Sequence, residues 1–309
     1  FRAGRESVPG KLEPGTLYVV GMGPGEEKQM TIEAREVLES CDVIVGYTVY
    51  AELMKKMLPE KTYLTTPMRQ EAERCRLAFE EAQKGKKVAM VCSGDAGVYG
   101  MSGLMLEIGE EYPDCKVKVV SGVTAALAGG AVLGAPLMHD FAVISLSDLL
   151  TPWEKIEKRL RMAAAGDFVI CLYNPSSKKR ADYLKRACTI IQEEIGEERV
   201  CGIVSQIGRD GEHAEVMTLS ELADRQVDMF TTVFVGNSQT KEIDGRMVTP
   251  RGYHLHQSHA GVYIFLIEGE IKVDGTVLSR RDGMGVYETD SFELETLQDS
   301  HILLIEVPM

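Results

Sequence analysis

Four glycine-containing loops recur where short apolar runs end, and they restrict the possible folds more than any other feature of the chain. They are Gly21-Met22-Gly23-Pro24-Gly25, Ser93-Gly94-Asp95-Ala96-Gly97-Val98-Tyr99-Gly100, Ser121-Gly122-Val123-Thr124-Ala125 and Val235-Gly236-Asn237-Ser238. The runs before them are Leu17-Tyr18-Val19-Val20, Val88-Ala89-Met90-Val91, Val117-Lys118-Val119-Val120 and Thr232-Val233-Phe234. Glycine there lets backbone come close to a ligand and take positive φ at little cost. Open α/β sheets bind ligands beyond the carboxyl ends of their strands. Loops of this kind spread along the chain therefore point to one extended ligand held by backbone contacts.

Between the loops, apolar runs alternate with amphipathic stretches. Residues 71–84 carry Cys75, Leu77, Ala78 and Ala82 among charges, a helical spacing, and 103–111 and 124–132 continue the pattern. A second series starts near Ala135-Pro136, with strands expected at 141–144, 168–173, 200–205, 216–219 and 231–235. Helices are expected at 153–165 and 179–194. Alternation of this kind predicts parallel sheet covered by helices. From about Tyr253 the texture changes to short strands separated by Glu268-Gly269, Asp274-Gly275 and Asp282-Gly283 turns. The expected organisation is an extension at 1–14, α/β lobes at 15–134 and 135–253 with a cleft between them, and a short all-β C-terminal segment at 254–309. That last segment is too small to complete a double-sheet barrel by itself, so dimerisation or disorder is expected of it.

The chain has 309 residues, 44% of them hydrophobic and 26% charged, the proportions of a soluble globular protein. A net charge of -13 argues against a general nucleic-acid binder. No apolar run approaches the length of a membrane span. Residues 1–14 lack an apolar core, so no secretory signal is expected. The seven cysteines are dispersed without metal-ligand spacing, which predicts no metal site and fits a reducing cytoplasm.

The loop at Gly21 matches a dinucleotide fingerprint in its first two glycines only. Glu26 stands where the third belongs, Pro24 removes a donor, and no acidic residue ends the second strand, so a nicotinamide cofactor is not expected. The Walker pattern is absent too. Asp95, at a strand end among small residues, reads either as an acceptor for a ligand amine or hydroxyl or as a cap for the next helix.

Taken together, the residues Val20-Gly21-Met22-Gly23-Pro24-Gly25, Gly94-Asp95-Ala96-Gly97-Val98-Tyr99-Gly100-Met101, Gly122-Val123-Thr124-Ala125 and Val235-Gly236-Asn237 resemble the tetrapyrrole (corrin/porphyrin) methyltransferases that use S-adenosylmethionine. Gly46-Tyr47, the run from Gly134-Ala135-Pro136 through Leu137-Met138-His139-Asp140-Phe141 to Ser147-Asp148, and Leu172-Tyr173-Asn174-Pro175-Ser176-Ser177-Lys178-Lys179-Arg180 narrow the resemblance. They are similar to the group acting on C17 of precorrin-3B or cobalt-factor III in cobalamin biosynthesis. The resemblance covers residues 15 to about 253.

It implies a cofactor in the cleft, held by Gly94, Asp95, Val98, Thr124, Ala125, Tyr173, Gly208 and Asn237. It implies a tetrapyrrole macrocycle over it, facing Gly23 and Pro24. C17 methylation in this family accompanies ring contraction, and His139 and Asp140 are the acid–base candidates. The macrocycle carries many carboxylates while the chain is acidic, so a local cationic patch is expected. Lys178, Lys179 and Arg180 are its candidates because cations are disfavoured at a helix start without a bound anion; Arg209 is a weaker one. A homodimer is expected. Methylation at another ring carbon, or a non-catalytic module binding the macrocycle or the cofactor, are the alternatives. The tail resembles the C-terminal end of pirin-type cupins without the metal-binding half, so His254, His256 and His259 are not assigned a metal.

Overall fold

The structure is a computed structural model that describes residues 15–177, 180–252, 260–289 and 291–308. It divides into two compact units, one ending at Arg251 and one beginning at Gly252.

The first unit opens with β1 (Thr16–Gly21), α1 (Ile32–Ser40), β2 (Val43–Tyr47), α2 (Thr48–Met57), β3 (Thr62–Thr66), α3 (Glu71–Gln83), β4 (Val88–Cys92), α4 (Ser102–Gly109) and β5 (Lys116–Val120). The strands pair in parallel in the order β3-β2-β4-β1-β5. Side chains alternate across the pleat, so apolar residues in a row serve both faces. Leu17, Val19, Val43, Val45, Val88 and Met90 pack with Cys75, Ala78 and Phe79 of α3 and Met105 of α4. Val20, Ile44, Ala89 and Val91 pack on the other side with Ala34 and Leu38 of α1 and Met54 of α2.

After α5 (Ala125–Leu133) and the short β6 (Gly134–Ala135) come β7 (Phe141–Ser145), α6 (Trp153–Ala165), β8 (Val169–Tyr173), α7 (Tyr183–Ile195), β9 (Val200–Ser205), β10 (His213–Thr218), α8 (Leu219–Ala223) and β11 (Thr231–Val235). This sheet runs β10-β9-β11-β8-β7 and departs from the parallel expectation. Only β7 and β8 are parallel; β11 is antiparallel to β8 and β9, and β10 to β9. The cause is connection length. Residues 206–212 join β9 to β10, and a parallel pair needs a crossover of about a dozen residues or more.

One face of the second sheet packs on α6 and α7 through Ile170, Leu172, Ile156 and Ile191. The other takes α5, where Ala126, Ala128 and Leu133 meet Cys171, Val204 and Phe234. The small residues of α5 permit this approach: a Cβ on Gly129 would already touch Ile207 and Phe234 at 3.0–3.1 Å. A hairpin of β12 (Lys241–Ile243) and β13 (Arg246–Val248) then pairs with β6.

The second unit contains β14 (Ala260–Glu268), β15 (Glu270–Val273), β16 (Thr276–Ser279), β17 (Gly283–Val286), β18 (Leu294–Thr296) and β19 (His301–Pro308). They form two three-stranded sheets, β17-β14-β19 and β16-β15-β18. Ile264, Leu266, Ile271, Val273 and Leu278 make a core of their own. The Asp274-Gly275 signal gives a two-residue hairpin with φ of 45° and 88°, the double positive φ of a type I′ turn. His254, His256 and His259 lie outside the described residues.

Candidate functional site

The strand-end glycines first meet one another. A Cβ on Gly21 would stand 2.7 Å from both Gly122 N and Gly94 O, and one on Gly122 would press on Gly21 O and Gly94 O. Gly23, at φ 76°, exchanges backbone hydrogen bonds with Gly94, at φ 67°: Gly23 N donates to Gly94 O at 3.0 Å and Gly94 N to Gly23 O at 2.8 Å. Asp95 fastens the same junction. Its carboxylate accepts from its near neighbour Gly97 N at 2.7 Å and from Gly122 N at 2.8 Å. The loops after β1, β4 and β5 are thus one interlocked floor. The glycines that the sequence assigns to ligand approach serve first to let backbone approach backbone.

Two tyrosines carry this floor across to the second sheet. Tyr99, held at φ 53°, donates from its hydroxyl to Val143 O at 3.0 Å and accepts from Ser145 N at 3.1 Å. Tyr173, at the end of β8, accepts from Ala126 N at 2.6 Å and lies 2.6 Å from Thr124 Oγ1. Their ring centroids are 5.7 Å apart. A third link is steric: a Cβ on Gly25 would stand 2.5 Å from Gly208 O.

These links enclose a cavity of about 190 Å³. Ser93, Gly94, Val98, Thr124, Ala125 and Tyr173 line it, with Gln206, Ile207, Thr231 and Thr232 from the second sheet and Pro24, Arg209 and Phe230 at its edge. A second cavity of about 240 Å³ shares Tyr50, Ser93, Tyr99 and Met229 with the first. Each is below the usual few hundred Å³ of a small-molecule cleft, and together they form a longer trough. Among the described residues no carboxylate lines the first cavity. Burial raises the Tyr50 and Tyr173 hydroxyl pKa values, so both rings enter the neutral range as uncharged hydrogen-bonding groups.

The expected residues divide by placement. Gly94, Val98, Thr124, Ala125, Tyr173 and Pro24 line the first cavity. Asp95, Gly23 and Gly208 do not line it; Gly208, at φ 63°, donates its amide to Glu212 Oε2 at 2.8 Å. Asn237 is set apart and buried, its Oδ1 accepting from Gln239 N and Thr240 Oγ1. His139 and Asp140 are exposed just before β7 and line neither cavity.

Of the cationic run, Arg180 alone lies among the described residues. Helix α7 begins at Tyr183, so Arg180 does not stand at its start. Arg180 is instead tied within the second sheet's loops, donating to Ser147 Oγ at 2.5 Å and Ser177 Oγ at 3.1 Å, with Asp148 at 3.5 Å. Lys178 and Lys179 lie outside the described residues. The guanidiniums that line the trough are Arg209 and Arg74. Arg209 donates to Pro24 O at 3.4 Å and stacks 5.0 Å from the Phe230 centroid. Arg74 escaped the sequence reading because it looks like one more charge on an amphipathic helix.

The cysteines offer no nucleophile. All seven are free, and burial pushes the Cys92 thiol, at the end of β4, up to about 11 and Cys171 up to about 12. Among the described residues no cluster of His, Cys, Asp or Glu could hold a metal ion. None of their helices is long and apolar enough to cross a membrane.

Comparison with known proteins agrees with this geometry. Residues 16–223 match the tetrapyrrole (corrin/porphyrin) methylases, and residues 251–307 match the quercetinase C-terminal cupin domain. A probable cobalt-factor III C(17)-methyltransferase of Salmonella typhimurium is 46% identical over 240 residues, covering 77% of this chain and 100% of the relative. A precorrin-3B C(17)-methyltransferase of Sinorhizobium sp is 40% identical over 248 residues, covering 77% and 97%. The crystal structure of the methyltransferase CobJ superposes with a TM-score of 0.71 at 37% identity, over 76% of this chain and all of that one. At 21% identity and a TM-score of 0.59, the fold extends to a uroporphyrin-III C-methyltransferase of Thermus thermophilus complexed with S-adenosyl homocysteine, over 72% and 97%.

Proposed function

The chain belongs to the tetrapyrrole (corrin/porphyrin) methylases, S-adenosylmethionine-dependent methyltransferases, and on that premise we propose that it methylates C17 of precorrin-3B or cobalt-factor III with ring contraction. The observation that carries the reading is the trough itself: strand ends from two sheets, locked by Tyr99 and Tyr173, with a cavity at their meeting point that no carboxylate lines among the described residues.

The residues present fit S-adenosylmethionine. Gly94, Val98, Thr124, Ala125 and Tyr173 would hold it, offering backbone carbonyls, hydroxyls and an apolar wall. Such a lining surrounds a sulfonium without supplying an anion to trap it. When bound, the cofactor would supply an electrophilic methyl group to a ring carbon of the macrocycle. The protein's part is alignment and exclusion of water, which can contribute about 7–11 kcal/mol to lowering a barrier. Asp95 contributes indirectly, by fixing the loops of Gly94 and Gly122 against each other. Asn237 supports the chain after β11, its Oδ1 accepting from Gln239 N and Thr240 Oγ1.

His139 and Asp140 are assigned the proton transfers of ring contraction, their exposure leaving them able to exchange protons with water. Lys178, Lys179 and Arg209 are assigned to the acid side chains of the macrocycle. The reading includes a cytoplasmic homodimer: the free thiols support a reducing compartment, and exposed Leu303, Leu304 and Ile305 on the edge strand β19 support self-association.

Incubation with S-adenosylmethionine and each macrocycle in turn, followed by mass spectrometry, tests the assignment. One added methyl group, located at C17 by NMR, is expected. Methylation elsewhere on the ring, or cofactor binding without turnover on either macrocycle, would replace the reading.

A further inference from the structure

Arg74 is a buried guanidinium without an acid. It is 5% exposed, in the first turn of α3. Its Nε donates to Thr66 Oγ1 at 2.9 Å, its Nη2 donates to Pro67 O at 3.0 Å, and its head lies 5.9 Å from the Tyr47 ring centroid. All three partners are neutral. Among the described residues no carboxylate stands within ion-pair distance of it, whereas Arg180 has Asp148 and Arg161 has Glu157. Glu71, three residues earlier, accepts from Arg69 N at 3.2 Å. A guanidinium keeps its proton when buried, so desolvation without a counter-charge is expensive. The two bonds to Thr66 and Pro67 use two of its five donors. Arg74 also lines the second cavity, beside Tyr47, Tyr50, Met68 and Tyr99, and that cavity adjoins the first through Tyr50, Ser93 and Tyr99.

We propose that Arg74 is a specificity-determining residue that takes a peripheral carboxylate of the macrocycle and so seats one acidic edge of the ring in the second cavity. The inference rests on the methyltransferase reading above and names the contact that would orient its substrate. A carboxylate supplies the missing counter-charge, and the guanidinium fork donates two parallel hydrogen bonds to it. Glu71 lines the same cavity, so a trough deprived of Arg74 would repel the acid that it now attracts. The contact exists equally in the bound substrate and in the transition state, so it acts on binding rather than on the chemical step.

The test compares wild type, Arg74→Gln and Arg74→Lys. It measures S-adenosylmethionine affinity by calorimetry, affinity for precorrin-3B and cobalt-factor III by absorbance titration, and kcat and KM on whichever is methylated. Arg74→Gln is expected to raise the macrocycle KM and Kd by about 10–100-fold, the loss of one charged hydrogen-bonded contact. Its kcat should stay within about threefold of wild type, and its cofactor affinity should not change. Arg74→Lys should recover part of the loss. A fully esterified macrocycle should bind wild type and Arg74→Gln equally.

Unchanged macrocycle affinity in Arg74→Gln, or the same loss toward the ester as toward the acid, overturns the inference while leaving the function standing. If Arg74→Gln no longer binds cofactor, Arg74→Lys decides by the same measurements, wild-type macrocycle affinity counting against the inference. Failure of wild type to bind or methylate either macrocycle would instead overturn the functional reading, and this one with it.

Discussion

The Tyr173 hydroxyl lies 2.6 Å from Thr124 Oγ1 and accepts the Ala126 amide at the same distance. One phenol oxygen therefore ties the end of β8 to the first turn of α5, and both partners belong to the wall of the first cavity or its support. Tyr173→Phe keeps the ring and removes the tie. The expected result is a loss of about 1–3 kcal/mol in urea unfolding, with weaker S-adenosylmethionine binding by calorimetry. Unchanged values of both would show that packing alone holds the junction.

The interlocked glycines make a paired prediction. Gly122→Ala forces a methyl group against the carbonyls of Gly21 and Gly94, and should cost about 1–3 kcal/mol or more together with cofactor binding. Gly103, in α4, has nothing within 4 Å of its missing Cβ. Gly103→Ala should be neutral or stabilising by up to about 1 kcal/mol. Thermal unfolding of the two variants side by side checks the contrast.

Alkaline pH should expose the buried thiols. Burial raises Cys92 and Cys41 from 9.0 to about 11, and Cys75 to about 12. The unfolded thiol ionises first, so this stability is complete below about pH 9 and is lost as pH rises toward the folded values. A two-unit shift corresponds to roughly 2–3 kcal/mol. The urea midpoint should fall between pH 9 and 11, less steeply in Cys92→Ala; a flat midpoint would refute it.

His139 and the lysine pair separate by kinetics. His139→Ala should lower kcat by about 10²–10⁴-fold if it transfers a proton, and unchanged turnover would leave it a surface residue. Lys178→Ala with Lys179→Ala should raise KM more than it lowers kcat.

The tail should be dispensable for cofactor binding. Its core of Ile264, Leu266, Ile271, Val273 and Leu278 is its own, and the residues lining both cavities precede it in the chain. Truncation after Gly252 should keep S-adenosylmethionine affinity and alter sedimentation. Loss of affinity with the circular dichroism spectrum retained would place the tail in the active site.

What the sequence disclosed follows from which physics is local. Val88-Ala89-Met90-Val91 reads as a strand because an apolar run between two glycine turns has few other uses. The strand β3, Thr-Tyr-Leu-Thr-Thr, went unread because threonines supply its β-branching and little of it is apolar. Strand direction in the second sheet is written in the loop 206–212, not in β9 or β10. Asp95 was correctly placed at a strand end, but one of the amides that occupies it comes from Gly122, 27 residues away. The burial of Arg74 depends on β3 and Tyr47 closing over α3, a tertiary event with no periodic trace.

The nested glycines of the floor also limit how such an enzyme can diversify. Gly21 and Gly122 press on each other and on the Gly94 carbonyl, so neither admits a larger residue without moving strand ends, and Gly94 is held by its φ of 67°. Variation of the substrate is easier at the rim, where Met68 and Met229 are exposed. A laboratory library aimed at new macrocycles should leave the floor alone and randomise those positions.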